Sequence, residues 1–247
     1  MQSARLERSA FEPVGIKGVA KVIFLALLAS VSTVVVARAQ SAAVKQRVAA
    51  IKQSLADSQA SLRHYEWIET TVISHDGEEK FRKQERCYYD AEGKVQKVLE
   101  GTESEGKTPP GLRGRIAERK KEEVTDYMKS AVAKIQEYVP LDSSQVQKVA
   151  DAGNLSITPL PSNRVQVDLH DYLEAGDLVT LEFDLQSNNI LSAKIATYVD
   201  SPDDKVGLDV AFATLPDGTN HAATTTLDAP AKSVTVEVTN SGYRRQG

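Results

Sequence analysis

From residue 155 to the C-terminus, apolar residues recur at every second position, segment after segment. Val165, Val167 and Leu169 alternate with Arg164, Gln166 and Asp168. Val179, Leu181, Phe183 and Leu185 alternate with Thr180, Glu182 and Asp184. Further runs follow at 190–200, 205–215 (Leu208, Val210 and Phe212 on one face), 220–228 and 232–239 (Val234, Val236 and Val238). A period of two puts one face of each strand on a core and leaves the other in water. The connections, Ser187-Asn188-Asn189 and Asp217-Gly218 among them, are too short for parallel crossovers. This half is therefore predicted to be an antiparallel meander of about six strands, one face of which needs a cover.

The cover is found in the first half. Val44, Val48, Ile51, Leu55 and Leu62 are spaced for one face of a helix over 42–63. A smaller meander follows. Residues 64–74 (HYEWIETTVIS) are rich in aromatic and β-branched types, and Asp76-Gly77 is a strong hairpin signal. The return strand is predicted at 78–90 and a short third strand at 94–99. Residues 101–114 hold Gly101, Gly106, Gly111, Gly114, Pro109 and Pro110 among polar residues, the composition of a loop. A long helix over about 115–138 carries the stripe Val124, Tyr127, Met128, Ala131, Val132, Ile135 and Tyr138, and Pro140 stops it. Ser144-Gln145-Val146-Gln147 reads as a capping box for a short helix that Gly153 ends. The fold class is α+β: one curved antiparallel sheet, half-barrel-like, with the N-terminal helix and the long central helix packed on its concave face.

The N-terminus adds an address. After basic residues ending at Lys21, an apolar run of 15 residues spans Val22 to Val36, short of the roughly 20 that cross a bilayer. Ala37-Arg38-Ala39 offers small residues where a signal peptidase reads, so cleavage between Ala39 and Gln40 is expected. Retention of residues 1–39 as an anchor is the alternative. The domain plan is a signal peptide at 1–39 and a single α+β domain at 40–247 with the Gly/Pro-rich loop at 101–114. The leader holds five of the 30 basic and two of the 34 acidic residues, so 25 and 32 remain, a formal charge of −7. That sign is wrong for binding nucleic acid through its phosphates. Cys87 is the only cysteine. It rules out an intrachain disulfide, and burial in its strand-like surroundings is expected.

Chemical motifs are sparse. His64, His75, His170 and His221 share no ligand spacing, and each is expected at a strand end or surface loop. No nucleophile elbow, phosphate-cradling loop or dinucleotide fingerprint occurs. Asp200-Ser201-Pro202-Asp203-Asp204 reads as a polar turn rather than a calcium loop, lacking the glycine and distal glutamate. Glu66 and Glu69 point to opposite faces of one strand. No catalytic residue, metal or cofactor is expected. Two features remain. Arg113, Arg115, Arg119, Lys120 and Lys121 form a basic run in an acidic chain, either a solvated helix face or a dock for an anionic membrane surface or acidic protein. Tyr65, Trp67, Tyr88 and Tyr89 lie in two strands joined by a tight turn and should be close in space.

The segments YEWIETT (65–71), ERCYYDAEGKVQKV (85–98), KKEEVTDYMKSA (120–131) and TNSGYR (239–244) together resemble a family of exported bacterial proteins that brings no catalytic residues. The order of elements looks like the LolA-like half-barrels, the lipoprotein carriers of the Gram-negative periplasm. That resemblance implies a sheet wrapped around helices to make an apolar cavity. The expected function is a non-catalytic periplasmic or secreted binding or carrier protein for an apolar or lipidated ligand. Tyr65, Trp67, Tyr127, Met128, Val132 and Ile135 are the expected contacts. The alternative is an envelope interaction module with a filled core and no small-molecule ligand.

Overall fold

The computed structural model describes residues 42–104 and 112–246, with side chains over 46–102 and 122–246. In chain order the elements are α1 (Ala42–Leu62), β1 (Tyr65–His75), β2 (Glu78–Tyr89), β3 (Val95–Ser104), α2 (Leu112–Glu137), α3 (Ser143–Asp151), β4 (Leu155–Leu160), β5 (Arg164–His170), β6 (Leu178–Asp184), β7 (Asn189–Tyr198), β8 (Lys205–Thr214), β9 (Asn220–Ala229) and β10 (Val234–Arg245). All ten strands join one antiparallel sheet in the order β3-β2-β1-β10-β9-β8-β7-β6-β5-β4, which does not close into a barrel. Its two edges, β3 and β4, are consecutive in the chain, so α2 and α3 bridge from one edge of the sheet to the other. The N-terminal meander is joined to the C-terminal one by β1 against β10, with Thr70 opposite Thr239.

One face of the sheet, here the inner face, meets the helices. Ile73, Phe81, Leu169, Val179, Leu181, Phe183, Ile195, Leu208, Val210 and Leu227 pack there against Ile51 of α1, the α2 stripe and Val146 and Val149 of α3. Met128, Ala131, Val132, Ile135 and Tyr138 are all 8% exposed or less, while Val124 and Tyr127 are half-buried at the margin. Each such aliphatic side chain contributes about 1.5–3 kcal/mol by leaving water. That burial holds down a helix whose other face is charged.

Several boundaries move, each for a physical reason. The loop expected at 101–114 is shorter at both ends. Gly101–Ser104 extend β3, with Gly101 opposite Gln84, and α2 already begins at Leu112. Pairing with β2 outweighs the weak strand propensity of glycine. The predicted runs of the alternating half begin at Arg164, and the structure adds a strand before them at 155–160, which contains Pro159. Here β4 is the sheet edge, the place that tolerates proline, and Ser162 and Asn163 at φ +62° and +56° turn the chain into β5. The capping box at Ser144 is replaced by a cap two residues earlier. The Asp142 carboxylate accepts the Gln145 N–H at 2.9 Å, and the Gln145 side chain goes to the Tyr172 carbonyl instead of back along the helix. Gly153, at φ +80°, does end α3, with the Asn154 N–H reaching the Val149 carbonyl at 2.9 Å.

Candidate functional site: the β1–β2–β3–β10 corner

Alternation along β1 buries Tyr65, Trp67, Glu69, Thr71 and Ile73 on the inner face. The pairing with β2 sets Trp67 opposite Cys87, Glu69 opposite Glu85, Thr71 opposite Lys83 and Ile73 opposite Phe81. On the far side of β2, Glu85 lies opposite Leu99, Cys87 opposite Lys97 and Tyr89 opposite Val95. The inner face therefore changes character along three neighbouring strands. It is aliphatic at Ile73 and Phe81, where it joins the main core. It is charged in the middle, and aromatic at the far end.

The charged band is a set of two ion pairs. Lys83 Nζ lies 2.8 Å from Glu85 Oε2, and Lys97 Nζ pairs with Glu69 Oε1. All four side chains are largely buried, at 14% and 10% exposed for the first pair and 17% and 5% for the second. Carboxylates facing each other across a strand pair repel, and the two lysines neutralise that repulsion. Such pairs rarely stabilise a fold more than well-packed apolar residues of the same volume. Beside them Leu99, in register with Glu85, is 57% exposed, although every apolar neighbour further along this face is covered.

The aromatic end is a second, smaller core of Leu62, Trp67, Cys87 and Tyr89, with Val95 and Tyr243 packed against it. Tyr243 gets there through a bulge. Ile68 is opposite Ser241 and Glu66 opposite Arg244, so Gly242 and Tyr243 together face Trp67. Gly242 sits at φ +63°, the left-handed conformation that a bulge of this kind requires. The extra residue reverses the alternation of β10 and turns the Tyr243 ring inward. It stacks on Trp67 (5.7 Å between centroids, 13° between planes), and Tyr89 lies 5.7 Å from Trp67 on a tilt. The indole Nε1–H donates to Asn240 Oδ1 at 3.1 Å, and Asn240 Nδ2 donates to the Ala222 carbonyl at 3.0 Å.

Electrostatics follow from burial. Burial pushes the Cys87 thiol up to about 12, with the Glu69 carboxylate adding to the effect. It also pushes the Tyr89 hydroxyl up to about 12 and raises Tyr243. His221, expected at a turn surface, is 5% exposed with its ring 4.2 Å from Tyr243, and burial lowers its pKa, so it is neutral at pH 7. A register shift between Ala211 and Phe212 draws the start of β9 inward, burying Asn220, His221 and Ala222 in succession. At the outer rim the Tyr65 hydroxyl donates to Asp217 Oδ2 at 2.7 Å, and Arg245 reaches the same oxygen at 2.8 Å. Arg245 first, and Tyr65 second, hold the Asp217 carboxyl well below the usual range.

The six residues expected to meet a ligand divide between two places. Tyr65 and Trp67 stand in this corner. Met128, Val132 and Ile135 fill the interface between α2 and the sheet. Tyr127 is at its edge, its hydroxyl donating to Asp204 Oδ1 at 2.6 Å and Lys232 Nζ 5.6 Å from its ring centroid. Asp204 belongs to the turn between β7 and β8, closed by its N–H to the Ser201 carbonyl at 2.8 Å. Arg113, Arg115, Arg119, Lys120 and Lys121 fall within α2, but their side chains lie outside the described residues, as do Ala39 and Gln40 altogether. From the sequence, Glu69 is weighed only as a partner for Glu66, and Lys83, Glu85, Lys97 and Tyr243 are not singled out. Cys87 is buried, as expected.

No family model matches the chain, and no curated protein matches it. Two solved structures share its general outline at a distance. One is a DUF1329 family protein from Desulfovibrio piger, 9% identical, covering 82% of this chain and 93% of that one with a TM-score of 0.35. The other is a putative outer membrane lipoprotein-sorting protein domain from Vibrio parahaemolyticus, 10% identical, covering 78% and 91% with a TM-score of 0.32. Likenesses this distant carry no argument about function. Three of the four segments that carry the family resemblance (65–71, 85–98 and 239–244) meet in this corner.

Proposed function

We propose that the protein is an exported, non-catalytic binding or carrier protein of the bacterial envelope, and that it holds an apolar or lipidated ligand in a half-barrel formed by the β1–β3 end of the sheet. The observation that carries this reading is the inner face of β1–β3. It presents two largely buried ion pairs, a stacked aromatic group and an exposed leucine, where the rest of that face is mostly apolar with buried hydroxyls at Thr197 and Thr225. In this reading Trp67 and Tyr65 meet the ligand directly. Tyr127, Met128, Val132 and Ile135 meet it only when α2 lifts, because their side chains already pack in the helix–sheet interface. The basic residues 113, 115, 119, 120 and 121 serve to dock the carrier on an anionic membrane surface or an acidic partner.

Trp67 is the only tryptophan, so intrinsic fluorescence reports on this corner alone. The test is a titration with single-chain amphiphiles of increasing length. Each buried methylene is worth about 0.8 kcal/mol, so affinity should rise about fourfold per methylene until the site is full. An affinity independent of chain length would overturn the reading.

One observation favours the interaction module instead: the α2 stripe is packed, and apolar side chains are exposed at both sheet edges, Val98 and Leu99 on β3 and Ile157 on β4. In that case Leu99→Lys and Ile157→Lys would change self-association or partner binding in sedimentation experiments while no amphiphile binds.

A further inference from the structure

The charged band has a composition that constrains a ligand's head group, an inference that rests on the carrier reading above. Glu69, Lys83, Glu85 and Lys97 sum to zero charge on one face of three adjacent strands, and each keeps some exposure. An anionic or cationic head entering this band would leave one sign in excess in a poorly hydrated place. An uncharged sugar head would desolvate both ion pairs without replacing them. A head group carrying one charge of each sign can exchange both pairs, its anion taking the lysines and its cation the carboxylates. The cation has to donate hydrogen bonds, because carboxylates only accept. Trp67 and Tyr243 are stacked on each other, so the open aromatic faces that a quaternary ammonium would need are already engaged. A second, independent feature points the same way. The Tyr243 hydroxyl makes no hydrogen bond among the described residues and lies within reach of the Glu69 charge, which leaves a donor beside the band for an anionic oxygen.

We propose that this corner selects amphiphiles whose head group pairs an anion with a primary ammonium, of the phosphoethanolamine kind. The anion lies on Lys83, Lys97 and the Tyr243 hydroxyl, the ammonium on Glu69 and Glu85, and the chain leaves past Leu99.

The test is Trp67 fluorescence with four probes of equal acyl length: lysophosphatidylethanolamine, lysophosphatidylcholine, lysophosphatidylglycerol and an alkylamine. The first should bind about tenfold more tightly than any other. Glu85→Gln should shift preference towards lysophosphatidylglycerol, and Lys83→Gln towards the alkylamine, each by about tenfold in the affinity ratio. If either variant fails to fold by circular dichroism, the probe series on the unaltered protein decides alone. Equal affinity for all four probes, with the chain-length dependence intact, would overturn the head-group inference and leave the carrier reading standing. No saturable binding of any probe would overturn both.

Discussion

Cys87 shows how much a single residue can carry in this corner. Its sulfur is fully buried between Trp67 and Lys97, in register with both, and the thiol is held near 12 against an ordinary value of 9.0. Burial disfavours the thiolate in the folded protein, so between about pH 9 and 12 the unfolded chain releases a proton that the folded one keeps. Stability should therefore fall as pH rises through that window, and Tyr89, shifted the same way by burial, adds to the loss above pH 10. Urea unfolding at pH 8, 9 and 10 measures it, and Cys87→Ala should flatten the first part of the decline. The native protein should also resist rapid maleimide labelling. Cys87→Ser places a hydroxyl where an apolar sulfur was, at a cost of about 1–3 kcal/mol. Burial of this residue was legible from its type and neighbours. The partners around it were not, because they depend on one residue of register. The Asp76-Gly77 turn by itself sets His75 opposite Glu78, a register in which Glu69 would face Gln84. A bulge between Phe81 and Glu79 shifts the pairing so that Glu69 meets Glu85 and Trp67 meets Cys87.

At the scale of elements, the alternating runs of the C-terminal half and the apolar stripe of α2 survive folding almost unchanged. Each follows from a periodicity that burial enforces over many residues. What escaped was set by single positions. The bulge at Gly242 looks, in sequence, like an ordinary turn glycine, yet it decides which way Tyr243 points. Gly242→Ala puts a Cβ on a residue at φ +63° and should cost about 1–2 kcal/mol. The space itself is open enough, with Ile68 Cγ1 3.7 Å from such an atom, so the cost is conformational. The near-ultraviolet circular dichroism of the Trp67–Tyr243 stack should weaken along with stability. The start of α3 gives a sharper contrast. Asp142→Ala should cost about 1 kcal/mol in urea unfolding, as expected for loss of an N-cap. Ser144→Ala should change little, because the Ser144 hydroxyl only donates to the Asp142 side chain. A larger loss at Ser144 than at Asp142 would restore the capping box read from the sequence.

For the molecule as a whole, the decisive arrangement is that the sheet's two edges are neighbours in sequence and the helices bridge them over the inner face. The main core under α2 and α3 is filled and holds the fold together. The β1–β3 end, joined to the last strand through the β1–β10 pairing, departs from that plan. Among the described residues no helix is long and apolar enough to cross a membrane. The alternating patterns revealed one sheet and its cover. They could not reveal that charge and aromaticity converge at one end of it, since that convergence joins β1, β2, β3 and β10 through three bulges and a pairing between the first and last strands. The claim that this end holds a ligand is tested most directly by native mass spectrometry on protein purified from its own envelope, followed by lipid extraction. A bound amphiphile is expected on the unaltered protein, and its loss from a folded Glu85→Lys variant, whose added positive charge unbalances the band. Protein that travels at its bare mass under the gentlest conditions, with an extract that contains no amphiphile, would contradict it.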